Sequence, residues 1–171
     1  MLLLPECDCR TSDVTYWGPC YLRLNRNDYP NVTKEGEKFT IGVPTVLKEG
    51  TDVALFATGY MTRLAMEAAK ELEGAVSVRV INVSTIKPMD LEAVRRMADG
   101  CRAVVTAEEH NVRGGLGSAL AEVLCREPKP MKMVGIQDTF GCSGHNYQEV
   151  LEYHGLTKSA IAEAVREMAG I

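Results

Sequence analysis

Apolar residues along the chain fall into short continuous runs, separated by stretches in which they recur every three or four positions. Val53-Ala54-Leu55-Phe56-Ala57 is one such run; it is bounded by Thr58-Gly59 and reads as a buried strand. After it, Leu64, Ala65, Ala68, Ala69 and Leu72 repeat at helical spacing until Gly74 stops the helix. The alternation continues with a strand at 76–81 and a helix opened by Pro88 and N-capped by Asp90, with Leu91, Val94 and Met97 as its apolar face. A strand at 103–107 follows, then a helix opened by Gly114-Gly115-Leu116-Gly117 that turns Leu116, Ala119, Leu120, Val123 and Leu124 inward, then a strand at 131–136. Two more helices are predicted. One runs from about Tyr147 to His154 and is ended by Gly155; the other is capped by Thr157, with Ile161, Ala164, Val165 and Met168 inward.

Strands that alternate with helices predict an α/β fold, a mostly parallel sheet covered on both faces by crossover helices. The element around Phe39–Lys48 contains Pro44, which has no N–H for a central ladder, so it belongs at a sheet edge. The front of the chain is different. Residues 1–17 show no period and read as an irregular tail, while 25–38 are a polar connector. Between them Gly18-Pro19-Cys20-Tyr21-Leu22-Arg23-Leu24 alternates like a strand. A lone strand cannot bury its apolar face, so it packs on the following domain, on another subunit, or not at all. The organisation expected is therefore 1–17, 18–38 and a domain over 39–171.

Composition narrows the function classes. With 171 residues, 46% of them hydrophobic, the chain is long enough for one full core without staples. The 23 acidic residues exceed the 19 basic ones, giving a net charge of −4, and the basic residues form no stripe; nucleic acid is a poor partner. There is no apolar run of membrane-spanning length, and Met1-Leu2-Leu3-Leu4-Pro5 lacks the features of a signal peptide, so a cytoplasmic location is expected. Of the six cysteines, Cys20, Cys101, Cys125 and Cys142 sit far apart in apolar segments and read as reduced, buried thiols. Cys7-Asp8-Cys9 has no second ligand pair at zinc-finger spacing, so no metal site is expected there.

Candidate chemistry gathers at the carboxyl ends of the predicted strands, where open parallel sheets take their ligands. Those ends carry Thr58-Gly59, Asn82-Val83-Ser84-Thr85, Glu108-Glu109-His110-Asn111 and Asp138-Thr139, followed by a polar stretch to His145. Glu108, Glu109, His110 and His145 are the titratable members of this rim. A Glu/His acid–base pair is chemically possible there; the simpler reading is that strands need polar residues where they leave the core. Gly114, Gly115 and Gly117 at a helix start offer backbone amides to an anion, although the spacing falls short of a dinucleotide fingerprint. His154 reads as a surface residue at a helix end.

The stretch from Glu108-Glu109-His110-Asn111-Val112-Arg113-Gly114-Gly115-Leu116-Gly117 to Glu122 resembles the C-terminal domain of transketolases and deoxyxylulose-phosphate synthases. Three further stretches match in order: Gly42-Val43-Pro44 to Gly50, Asp52 to Gly59, and Gly155-Leu156-Thr157. The resemblance covers about residues 18–169. It implies a three-layer α/β/α fold around a five-stranded mixed sheet whose first strand runs antiparallel at an edge. In that family two upstream domains bind thiamine diphosphate with magnesium and transfer a two-carbon unit between sugar phosphates, so this chain by itself is expected to bind no cofactor and to carry no catalytic residue. Gly18 to Arg26 is similar to the last strand of the middle, pyrimidine-binding domain, and Arg26 matches the arginine that grips the substrate phosphate. A planar guanidinium suits that task because it binds phosphate through paired hydrogen bonds and keeps its charge. The resemblance thus implies a chain that assembles with catalytic thiamine-binding domains or a separate subunit, and that forms homo-oligomers. Two other classes stand beside it: an independent α/β module binding a nucleotide or other anion, and a purely structural dimerisation domain.

Overall fold

A computed structural model of the protein describes residues 30–33, 36 and 39–171. The strand expected at 18–24, Arg26 and the cysteines at 7, 9 and 20 lie outside the described residues. Within them the elements are β1 (Thr45–Lys48), β2 (Val53–Ala57), α1 (Tyr60–Glu71), β3 (Val78–Asn82), α2 (Leu91–Ala98), β4 (Ala103–Asn111), α3 (Leu116–Leu124), β5 (Met131–Ile136), α4 (Tyr147–Tyr153) and α5 (Lys158–Ala169).

The five strands form one sheet in the order β1-β3-β2-β4-β5. β1 pairs with β3 antiparallel and every other pair is parallel. Pro44 sits immediately before β1, at the sheet edge, where its missing N–H interrupts no ladder. The chain moves from β2 to β3 in one direction, then from β3 across to β4 and on to β5 in the other. Crossovers of one hand must therefore place α1 on the face opposite to α2 and α3. The core shows this division. Val53, Leu55, Val78, Val80, Val105 and Ala107 pack with α1 and α5 on one face. Ala54, Phe56, Ile81 and Val104 pack with Val94, Leu116 and Leu120 on the other.

Three helix starts follow from the sequence. Asp90, Asn146 and Thr157 accept hydrogen bonds from the backbone N–H three residues on, satisfying amides that a helix leaves open. Other details differ from expectation. The third strand begins at Val78 rather than Val76, because the N–H groups of Ala75 and Val76 bond back to Leu72 O at the end of α1. α2 turns Ala93, Val94 and Ala98 inward, which leaves Leu91 47% exposed. β4 does not stop at Ala107 but runs on to Asn111. Of the described cysteines only Cys101 is buried; Cys125, at the end of α3, and Cys142, in the segment after β5, are exposed. Both lie where the chain leaves the sheet and its helices, so the apolar residues around them in sequence do not cover them.

Candidate functional site

The extension of β4 decides the chemistry of the rim. Residues alternate faces along a strand, so Val104, Thr106 and Glu108 share the side covered by α3. Glu108 is 1% exposed. Its carboxylate accepts from Leu116 N at 2.7 Å and from Gly117 N at 2.8 Å, one oxygen for each amide. These are amides that the helix itself cannot satisfy, at the positive end of its dipole. The anion that a glycine-rich helix start can take from outside is supplied here by the preceding strand.

Glycine is required there by space. A Cβ on Gly115 would lie 2.0 Å from Glu108 Oε2 and 2.6 Å from Asn111 O, and one on Gly117 would lie 2.6 Å from Met133 Sδ. All three distances are far inside van der Waals contact. Gly114 lies outside this cradle, with open space where a Cβ would be.

The other rim residues bind apart from one another. Glu109 accepts from Tyr147 Oη at 2.6 Å. His110 places Nδ1 2.9 Å from Asn111 O. His145 pairs with Glu149 at 3.2 Å, on the first turn of α4. Glu108, Glu109, His110 and His145 thus have four separate sets of partners, and the acid–base pair of a β4 glutamate with one of these histidines is not assembled. Toward the centre of the sheet the strand ends are tied to each other: Thr58 Oγ1 donates to Val83 O at 2.8 Å, Thr58 N to Ala107 O at 3.1 Å, and the buried Thr62 hydroxyl meets Asn82 Oδ1 at 3.1 Å. Asn111 at the end of β4 and Arg113 just past it both reach Asp138.

At the carboxyl ends of the strands, where a doubly wound sheet takes its ligand, these described polar groups thus bond to one another. The sequence pattern singles out Glu108 but places it on an open rim. The signal for its true position is the alternation beyond Ala107, which puts Glu108 two residues from Thr106 on the same buried face, together with glycines at 115 and 117 that leave room for a side chain.

Among the described residues no three His, Cys, Asp or Glu side chains are grouped to hold a metal. No helix among them is long and apolar enough to cross a membrane.

Comparison with known proteins agrees with this architecture. Residues 42–161 match the family profile described as transketolase, C-terminal domain. The chain is 44% identical to the 6-deoxy-6-sulfo-D-fructose transketolase subunit SqwH of Clostridium sp. (strain MSTE9), over 88% of this chain and 47% of that protein. It is 33% identical to an apulose-4-phosphate transketolase subunit of Phocaeicola vulgatus, over 97% of this chain and 55% of that protein. A solved chain described as split gene transketolase, inactive beta4 tetramer, matches with a TM-score of 0.84 at 44% identity, covering 94% of this chain and 53% of that one. The chain spans about half the length of the curated relatives it matches.

Proposed function

The chain belongs to the transketolase C-terminal domain family, and from that premise we propose that it is the C-terminal part of a split thiamine-diphosphate enzyme that moves a two-carbon ketol unit between sugar phosphates. The observation that carries this reading is the match to a split-gene transketolase chain at 44% identity along 94% of the present chain. In this reading the domain over 39–171 supports assembly and helps to complete the substrate channel, and the cofactor-binding domains lie outside these residues. Residues 18–38 are the end of the pyrimidine-binding domain and its linker. Arg26 grips the substrate phosphate, the chain self-associates, and the protein works in the cytoplasm.

The described residues do not fit the cofactor. Magnesium diphosphate calls for several hard oxygen ligands around the metal and for donors to the phosphates. The carboxylates of the rim are spent on other partners: Glu108 on the helix amides, Glu109 on Tyr147 and Asp138 on Arg113. The amides of Leu116 and Gly117, the natural cradle for a phosphate, already hold a carboxylate. No step through thiamine is assigned to these residues. An independent nucleotide or anion module has no supporting observation for the same reason.

The test is reconstitution. Co-expression with a thiamine-binding transketolase subunit should yield a complex that transfers a two-carbon unit from a ketose phosphate to an aldose phosphate. Arg26→Ala in that complex should raise KM for the phosphorylated substrate by roughly tenfold or more, the loss of a charge-assisted pair. An unchanged KM removes Arg26 from the reading.

A further inference from the structure

Cys142 and His154 meet apart from the strand-end contacts described above. Cys142 lies in the segment 137–146, every residue of which is exposed. Its Sγ is 3.5 Å from Nε2 of His154, the residue that ends α4. The His154 ring is held edge-on against Tyr153, with centroids 5.0 Å apart and 87° between the planes. With its hydrogen on Nδ1, the imidazole turns the Nε2 lone pair toward the thiol and can accept the thiol proton.

The other described cysteines lack one half of this arrangement. Cys101 is buried, its Sγ 3.8 Å from Gly50 O, and burial pushes its thiol pKa up. Cys125 is exposed but has no side-chain hydrogen bond among the described residues. Only Cys142 among them combines open access with a base at the sulfur, the two conditions for a reactive thiol.

We infer that Cys142 is a thiol-modification site, with His154 as its base, that takes small-molecule disulfides. The thiol proton passes to His154 Nε2. The Cys142 sulfur attacks one sulfur of the disulfide, a new S–S bond forms as the old one breaks, and the departing thiolate takes the proton from the imidazolium. Cys142 is oxidised, the departing sulfur is reduced, and no further reactant is needed. The site is independent of the transketolase reading.

The test treats the full chain with oxidised glutathione, blocks the remaining thiols, and reads the occupancy of each cysteine by peptide mass spectrometry over time. Cys142 should form the mixed disulfide about tenfold faster than Cys125, with Cys101 inert. His154→Gln should bring the Cys142 rate down toward that of Cys125 and leave Cys125 unchanged. A native Cys142 no faster than Cys125 overturns the inference, as does a Cys142 rate undiminished in His154→Gln. Where Cys101 becomes reactive in the variant, its fold is lost, and the comparison within the native chain decides alone.

Discussion

The carboxylate of Glu108 lies 2.7 Å from the backbone nitrogen of Leu116, so the end of β4 and the start of α3 are joined by a buried charge-assisted hydrogen bond. Gly117 N completes the pair on the second oxygen. This contact converts a stretch that looks like a ligand cradle into a structural joint.

Removing the joint should be costly. Glu108→Ala strands two amides inside the core and opens a cavity, and is expected to destabilise the domain by about 2–4 kcal/mol. Glu108→Gln keeps the shape but turns a donor toward an amide N–H, and should fall between. Gly115→Ala drives a methyl into the same carboxylate and should destabilise comparably, yet add less than its own cost to Glu108→Ala, because the group it strikes is gone. Urea midpoints of the native chain, the single variants and the Glu108→Ala, Gly115→Ala double variant check this; a native-like midpoint for Glu108→Ala contradicts it.

Thr106 sits on the same face of β4, fully buried, and its hydroxyl has no hydrogen-bond partner among the described residues. Thr106→Val replaces that hydroxyl with a methyl of similar volume. It should therefore stabilise the domain, by roughly 1 kcal/mol. A rise in the urea midpoint is the expected result, and a fall would show that the hydroxyl has a partner.

The packing of α1 against α5 carries a pH-dependent term. Lys158, donating to Glu71 at 2.8 Å, is the main reason the Glu71 carboxyl titrates below the usual carboxylate range, with Arg166 at 3.1 Å adding to it. Because the folded value is the lower one, this stabilisation is present above the unfolded carboxylate pKa and is lost as the pH falls through the folded value. The Lys158 ammonium is raised by the same contact, so its share persists below the ordinary lysine range and is lost as the pH rises through its folded value. Glu71→Gln should lower the urea midpoint slightly at neutral pH, less so in high salt, and match the native chain in strong acid. A midpoint difference that is independent of pH contradicts the assignment.

The sheet is legible in the sequence because its strands are short apolar runs bounded by turn residues, as in 53–57, and because Asp90 and Thr157 sit directly before helical periodicity. The role of Glu108 is not legible in the same way. Local pattern makes a glutamate after Ala107 the end of a strand, whereas burial depends on α3 folding back to offer its amides eight and nine residues on. The expectation of a buried Cys142 fails for the same reason: whether a thiol in a mixed sequence is covered depends on what packs over it, and the segment after β5 is exposed. Its contact with His154, twelve residues away, is set by the turn into α4 and not by spacing.

As the C-terminal part of a thiamine enzyme, in the reading proposed above, these residues need the cofactor-binding domains for turnover. The most direct measurement compares ketol transfer by the purified chain with thiamine diphosphate, magnesium and sugar phosphates, before and after a thiamine-binding transketolase subunit is added. No turnover is expected from the chain alone, and activity should rise with the added subunit to a stoichiometric plateau. Turnover by the chain alone would contradict it.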